Sequence, residues 1–353
     1  MLHRIPIIQD IKRITDNHAD KEIWIPNDVV SAAIFHQSPE KYKKLIEDES
    51  NALFIPEREP RIIKTPQGKK SIPKQIATTT VQFRIKQAID EAIDECDKSN
   101  SLTVPLNGFD KTVLAACMTR QHSGYSWITT TRIYHMLGGS RDVPNEKMKQ
   151  DIVNSIDKMR GIDVRIDATE AYQKLKRLQH ANKSTVHTNA LMVMCLLPCD
   201  YMVAYVNGHL DDNVVFFNAI SPVFRFALDK NEIVTVPRRL LMTPNINTTY
   251  LSTQIKIYII TRIKSIARSL TGGGCRLHNV IDIDTLYMAC APMESIKNDR
   301  KLRKRIRDIA HEYLDFLVYV VEIAGFSCLD ENDAPTMLNN AAKFQIYFHS
   351  QLV

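Results

Sequence analysis

A dense run of basic residues, NDRKLRKRIRDIA (Asn298–Ala310), constrains the fold of this chain more than any other stretch. Six arginines and lysines fall within eight positions without an intervening acid: Arg300, Lys301, Arg303, Lys304, Arg305 and Arg307. Leu302, Ile306 and Ile309 recur at helical spacing, so a helix here keeps one apolar face while basic residues spread over the other. The more apolar continuation predicts one long helix, solvated in its first half, buried in its second and ended by Gly325.

A helix of this kind can enter the major groove of DNA while its buried half anchors a small domain. The alternative is a charged helix face that only meets water, as most charge runs do. A second polar helix of similar placement, earlier in the chain, favours the DNA-binding interpretation.

That second helix is predicted at residues 144–159, where Pro144 fits the first turn. Its apolar stripe is formed by Met148, Ile152, Ile156 and Met159. Polar and basic residues lie off the stripe, namely Asn145, Lys147, Lys149, Gln150, Asn154 and Lys158. The lysines are expected to neutralise phosphates, and the amides of Gln150 and Asn154 suit an adenine edge. The alternative is the ordinary polar surface of a helical bundle.

The order of predicted elements over residues 101–167 is helix, short strand, helix, turn, helix and strand. This is the order of a winged helix, a helix-turn-helix variant whose third helix reads DNA and whose following hairpin forms the wing. The basic segment between Asp167 and Thr185 is either the wing tip or a loop against the DNA backbone. Residues 245–353 repeat the order without detectable identity between the copies, so the repeat is one of architecture.

We therefore predict an α+β fold of tandem winged-helix (helix-turn-helix) domains with small antiparallel sheets, at residues 101–236 and 237–353. Residues 1–100 are expected to be a partly helical extension and linker. Within them, residues 56–75 carry four prolines and many charges, which is typical of a linker or an extended arm. The basic part, Lys64 to Lys74, either follows a phosphate backbone or is merely solvated. Residues 78–99 predict a helix.

Composition places the chain among globular cytoplasmic proteins. The net charge of +6 is mild, so its distribution matters more than its sum. Seven scattered cysteines, an odd number, favour reduced thiols. There is no apolar signal segment and no 18-residue apolar run, so neither secretion nor a membrane span is expected.

No catalytic constellation stands out, and we expect a non-enzymatic protein without cofactor or metal. TGGGCRLH lacks the Gly-Lys-Ser/Thr ending of a phosphate-binding loop. Asp282 and Asp284 form a carboxylate pair of the kind used in metal-dependent phosphoryl transfer, but they begin a short helix, where aspartate caps. A nuclease that uses this pair is the enzymatic alternative.

Several motifs resemble the first winged-helix domain of replication initiator proteins encoded by plasmids and mobile elements of Gram-positive bacteria. They are the helix FDKTVL, a threonine-led second helix ending in LGG, and the third helix IVNSIDKM running into a strand. The later segments LLPCDYMVAYVNG and SPVFRFALDKNEIVTVPRRLL are similar to that family's sheet region. The resemblance covers roughly residues 101–320 and consists mainly of hydrophobic pattern and turn residues.

The resemblance implies two winged helices that bind repeated sites at a replication origin, with a homodimer and host replication proteins as further partners. It makes Pro144–Met159 and Asn298–Arg307 the helices that read double-stranded DNA. Two alternatives stay open: a winged-helix transcriptional regulator, and an interaction protein whose basic helix contacts an acidic partner or RNA.

Overall fold

The computed structural model describes residues 21–27, 31, 34–35, 53–65, 68–85, 106–167, 191–202, 205–206, 209–210, 212–229, 231–271, 277–290 and 298–349, and structural statements concern these residues. The α-helices are α1 (Gly108–His122), α2 (Thr130–Met136), α3 (Glu146–Arg160), α4 (Pro222–Asp229), α5 (Tyr250–Thr271), α6 (Ile283–Cys290) and α7 (Arg300–Tyr319). The first strands are β1 (Glu22–Pro26), β2 (Leu53–Thr65), β3 (Gly68–Ile85), β4 (Trp127–Thr129), β5 (Ile162–Asp167), β6 (Leu191–Cys195) and β7 (Cys199–Met202). The remaining strands are β8 (Tyr205–Val206), β9 (His209–Leu210), β10 (Val214–Phe217), β11 (Ile233–Pro237), β12 (Val280–Asp282), β13 (Gly325–Leu329) and β14 (Lys343–Tyr347). The chain is thus an α+β protein with small antiparallel sheets.

The second half follows the predicted order of elements. Helix α5 comes first, with Ile255, Ile259, Ile263 and Ile266 buried along one face as its spacing predicts. Strand β12, helices α6 and α7, and the hairpin β13–β14 follow. Strand β14 lies between β12 and β13 and is antiparallel to both, so the hairpin closes against the strand that precedes α6.

The first half also contains the predicted series α1, β4, α2, α3, β5 and β6, but its strands pair differently. Strand β4 pairs with β10, and β10 pairs with β7. The hairpin β5–β6 instead joins β3 and β2 in a four-stranded sheet. Two sheets therefore share the strands that a single small sheet was expected to hold.

Helix α1 starts where its sequence provides caps. The Asn107 side chain accepts hydrogen bonds from the backbone N–H groups of Phe109 (2.9 Å) and Asp110 (3.4 Å), and the Asp110 carboxylate accepts from the Asn107 N–H (2.9 Å). This reciprocal capping box satisfies donors that a helix leaves unpaired. Residues Phe109 to Arg120 are all buried, so α1 is a central helix enclosed on every side.

Several predicted elements in the first hundred residues need correction. Residues 78–85 lie in β3, so the helix predicted there is wrong. Its TTTVQFRI sequence is rich in β-branched and aromatic residues, and pairing with β5 decides its conformation. Residues 56–65 and 68–75 likewise belong to paired strands rather than to a linker.

Two further elements differ from expectation. Helix α7 ends at Tyr319, and Gly325 begins β13 instead of closing the helix. Helix α4 falls in a segment that was assigned to a sheet. Two predicted segments lie outside the described residues. They are the remainder of the predicted helix, residues 86–99, and the basic segment at residues 168–185.

One cluster of buried apolar residues runs through both halves of the molecule. It includes Leu114 and Ile133 from the first half and Ile259, Leu314 and Phe344 from the second. Helix α1 packs against α5, and α5 packs against α6 and α7. The division of the chain at residues 236 and 237 stays a prediction. No helix in the described ranges is long and apolar enough to cross a membrane.

Candidate nucleic-acid interface

Helix α7 presents its basic residues to solvent in its first two turns. The side chain of Asp299 caps the helix by accepting a hydrogen bond from the Leu302 N–H at 2.9 Å. Ile306, Ala310 and Leu314 on the opposite face are fully buried, which fixes the rotation of the helix. The residues that remain exposed are Arg300, Lys301, Lys304 and Arg305.

The placement of Arg300 and Lys301 in the first turn of α7 does not stabilise the helix. The N-terminus of a helix carries partial positive charge, so each cation there costs about 0.3–1 kcal/mol at low salt. The first turn of α7 contains no acidic residue. Within the described part of the chain, no ion pair within 4.0 Å involves any of the four. A cluster that opposes local stability is typical of a functional surface.

Arg303 and Arg307 take a different position, half-buried at the side of the helix. Arg307 Nη1 donates a hydrogen bond to the Asn339 backbone oxygen at 2.6 Å. Burial raises the pKa of Tyr287 on α6, while the guanidinium groups of Arg307 and Arg303 act in the opposite direction. These two arginines therefore lie between α7, α6 and the loop of the β13–β14 hairpin.

The outward face of α7 changes sign after its second turn. Asp308, Glu312 and Asp315 are exposed on the same face as Lys301 and Lys304. Asp315 lies 3.0 Å from His311. The solvent-facing positive charge of α7 is therefore confined to its N-terminal end, which is the end that helix-turn-helix proteins direct at base edges.

Helix α3 exposes a shorter polar surface than its sequence predicted. The Asn145 side chain accepts from the Met148 N–H at 2.8 Å, so its role is that of an N-cap. Lys147, Gln150 and Asn154 are exposed. The Gln150 amide donates to the Asn154 side-chain oxygen at 2.8 Å, so the two groups expected to read adenine are hydrogen-bonded to each other.

The prediction that Lys149 and Lys158 contact phosphates is wrong, because both are buried, at 8% and 6% exposure. Lys158 Nζ lies 2.6 Å from the carboxylate of Asp110 on α1. Burial raises the pKa of this carboxyl, and the Lys158 ammonium opposes that effect. Helix α3 packs against both α1 and α2, so more of its circumference is covered than the apolar stripe alone indicated.

Two adjoining surface grooves bring the predicted DNA-reading helices together. One, of about 380 Å³, is lined by Lys147 and Asp151 of α3, by Thr248 and Thr249 before α5, and by Arg305 of α7. The other, of about 500 Å³, is lined by Lys301, Lys304, Arg305, Asp308 and Glu312 of α7 and by the segment around Asn245 and Asn247. The fold thus places the start of α3 and the basic turns of α7 on one continuous surface.

Sequence reasoning missed the segment that joins these helices. Asn245, Asn247, Thr248 and Thr249 are small polar residues directly before α5, and Thr249 Oγ1 accepts from the Ser252 N–H at 3.2 Å. Their side chains suit helix capping, a signal that was available in the sequence. Their proximity to α7, more than fifty positions later, was not.

The carboxylate pair has a structural role at Asp282. Its Oδ1 accepts hydrogen bonds from the N–H of Thr285 at 2.8 Å and from the Thr285 hydroxyl at 3.0 Å, which confirms the predicted cap of α6. Asp284 lies in the first turn of the same helix. Within the described ranges no group of three or more histidine, cysteine, aspartate or glutamate side chains could hold a metal ion.

Burial raises the pKa of the Cys199 thiol to about 12, so this thiol is a packing group at neutral pH.

Comparison with known proteins yields structural likenesses at low identity. No family model and no curated protein matches the chain. Two crystal structures of domains 2 and 3 of RctB align with it at TM-scores of 0.34 and 0.33 and at 11% and 12% identity. The alignments cover 88% and 78% of this chain and 97% and 82% of those chains. Likenesses at these TM-scores carry no argument about function, which must come from the residues.

Proposed function

We propose that this protein binds duplex DNA in a sequence-specific manner and acts as a non-enzymatic replication initiator that recognises repeated origin sites. The observation that carries the proposal is the set of exposed basic residues in the first two turns of α7, beside the start of α3. Lysine and arginine on such a surface neutralise phosphates and release counterions, which drives binding to duplex DNA.

The arrangement around α7 supports a winged helix as the binding unit. Helices α5, α6 and α7 and the sheet order β12-β14-β13 have the element order of that motif. In such a unit α7 enters the major groove, where an arginine can bind guanine through two hydrogen bonds. Arg300 and Arg305 are the exposed arginines in position to do so, and Lys301 and Lys304 are the phosphate ligands.

The first half contributes a smaller contact in this proposal. Lys147 lines one of the grooves beside α7, and the amides of Gln150 and Asn154 are exposed on the same helix. We assign to α3 an auxiliary role, because two of its three predicted lysine contacts are buried. A homodimer and host replication proteins remain the proposed partners, in line with the resemblance to plasmid-type initiators.

The test is a salt-titrated binding assay with duplex fragments from the genetic neighbourhood of the gene and random duplex as competitor. Selective retention of a fragment with direct repeats supports an initiator. Retention of a promoter fragment without repeats supports the transcriptional regulator instead, and stronger binding to single-stranded RNA supports the interaction protein.

Single-charge variants locate the interface. Lys301→Gln and Lys304→Gln should each weaken binding to all duplexes and reduce the slope of log K against log salt by about 0.9. The matched control is Arg225→Gln, an exposed arginine on α4, which packs against β1 and β6. Equal slopes for all three variants and the parent would remove α7 from the interface.

A further inference from the structure

The ribbon of β2 and β3 continues far past the sheet to which it belongs. Strand β3 pairs with β5 only over Val81–Ile85. Strands β2 and β3 pair with each other from Leu53↔Val81 to Thr65↔Gly68. In the described part of the chain, residues 54–65 and 68–80 pair only with one another. At about 3.4 Å per residue, this two-stranded segment, here called the arm, runs about 40 Å beyond its last pairing with β5.

The outer part of the arm holds most of the net charge of the chain. Residues 58–75 contain one acid, Glu59, and six basic residues: Arg58, Arg61, Lys64, Lys69, Lys70 and Lys74. Their net charge is +5, whereas the whole chain has +6. The other residues are therefore close to neutral in sum, so the arm, like the first two turns of α7, is a local source of positive field. Such a field attracts polyanions.

The register of the arm places few of these basic residues directly opposite an acid. Glu59 opposes Lys74, which is the one pair of opposite sign in the outer part. Nearer the tip, Lys64 opposes Lys69 directly. Like charges at opposed positions destabilise an antiparallel ribbon. A polyanionic partner would remove this cost, whereas water and salt only reduce it.

Prolines restrict what else the arm can bind. Pro60 and Pro73 occupy directly opposed positions, and Pro56 opposes Thr78 nearer the base of the ribbon. Proline has no backbone N–H, and on an edge strand it prevents the addition of another strand. A register shift between Glu57 and Arg58 marks a bulge, which bends and twists the ribbon at the base of its charged part. The arm is therefore ill-suited to strand addition by a protein partner.

We propose that the arm is a second DNA-binding element, which lies in the groove of duplex DNA beside the site of α7 and contacts phosphates through its lysines and arginines. A two-stranded antiparallel ribbon fits the major groove of B-DNA, which is about 12 Å wide. The proposal rests on the proposed function, because duplex DNA is chosen as the polyanion on the strength of the α7 surface. The arm adds contacts outside the base-reading helix and so lengthens the bound site.

The experiment uses the full chain and the duplex that it retains best in the competition assay. In one variant Lys64, Lys69, Lys70 and Lys74 become glutamine, and in the matched control the same four become arginine, which keeps the charge. Hydroxyl-radical footprints and the salt dependence of binding are measured for each. The glutamine variant should lose protection at the flank of the footprint, keep it at the centre, and lower the salt slope by up to about 3.6, or 0.9 per phosphate. The arginine variant should keep both.

A second variant tests the same prediction independently, in case the glutamine variant does not fold. It replaces residues 58–75 with Asn-Gly, a sequence that favours a tight hairpin turn, and should give the same shortened footprint. An unchanged footprint and slope in both variants overturns the arm proposal and leaves the proposed function intact. Failure of the parent to bind any duplex overturns both. Preference of the parent for single-stranded RNA or for phosphatidylserine vesicles, lost in the glutamine variant, reassigns the arm to that polyanion and rejects its role on duplex DNA.

Discussion

Lys158 and Asp110 form the buried ion pair that holds α3 against the start of α1. Removal of one partner leaves the other charge without compensation, which usually costs about 3–5 kcal/mol. Lys158→Met should therefore lower the free energy of unfolding by about this amount at pH 7, as measured by urea denaturation. The loss should be smaller at pH 5, because burial raises the pKa of Asp110 and a protonated carboxyl needs no cation.

The double variant Asp110→Asn, Lys158→Met controls for the lost packing of the lysine. It should be more stable than Lys158→Met alone and show no special dependence on acid. Equal losses for Lys158→Met at both pH values would show that the pair contributes packing and not charge compensation.

Lys256 on α5 is fully buried, and no carboxylate in the part of the chain that the structure describes forms an ion pair with it. Its Nζ donates to the Leu241 backbone oxygen at 2.8 Å and to Thr243 Oγ1 at 3.3 Å. Burial lowers its pKa from 10.5 to about 8. Below pH 8 this proton is bound to Lys256 in both the folded and the unfolded chain. Between pH 8 and 10.5 it is bound mainly in the unfolded chain, so the contribution of Lys256 to the free energy of unfolding rises with pH.

We expect the stability difference between the parent and Lys256→Met to change between pH 7.5 and 9.5, with the parent gaining relative to the variant. The difference is the proper measure, because burial raises the pKa of tyrosines such as Tyr258, which titrate in the folded state only at higher pH. A difference that is constant over this range would mean that Lys256 titrates as it does in water.

Helix α7 illustrates, at the scale of an element, a conflict between stability and the proposed function. Arg300 is its first residue, where the helix dipole favours an acid. Arg300→Glu should raise the free energy of unfolding by up to about 1 kcal/mol and at the same time weaken duplex binding. Thermal denaturation and the salt-titrated assay measure the two effects.

Arg300→Gln separates loss of the cation from gain of the anion, and should lie between the parent and Arg300→Glu in both measurements. If Arg300→Glu were more stable and bound duplex as tightly as the parent, this end of α7 would not face DNA.

The sequence predicted the apolar stripes of α3, α5 and α7, because burial repeats every three to four residues along a helix. The sequence predicted less well which charged side chains are exposed. Lys149 and Lys158 lie beside the stripe of α3 and were taken as exposed, yet contacts with α1 and α2 cover them. In β3 the alternating TTTVQFRI segment was taken as a helix, because its pairing partner β5 lies some eighty positions away and local pattern does not reveal it.

At the scale of the whole molecule, the buried core joins the two predicted halves. Tyr313 of α7 donates a hydrogen bond from its buried hydroxyl to the Leu240 backbone oxygen at 2.9 Å. At Gly138, which has a φ of 91°, an added Cβ would lie 2.4 Å from the Leu241 oxygen. Both contacts involve the segment after β11, where the chain passes from one half to the other, and they tie it to α7 and to the end of α2.

This shared core predicts cooperative unfolding of the two halves. Leu314→Ala in α7 should cost about 2–5 kcal/mol. Trp24 and Trp127, the only tryptophans of the chain, lie in the first half. Their fluorescence should shift its urea midpoint as far as the circular dichroism of the whole protein does. An unchanged tryptophan midpoint would mean that the halves unfold independently, as two separate domains would.

The sequence by itself determined most of the helices and short strands, because their periodicity, caps and turn residues act over a few positions. It also placed the basic cluster of α7 and the charge of residues 58–75. Only the tertiary structure decided which of these charges face solvent, that α3 and α7 share one surface, and that residues 53–85 form a long paired ribbon. These features depend on contacts between residues far apart in the chain, and burial and strand pairing at such distances leave no local pattern.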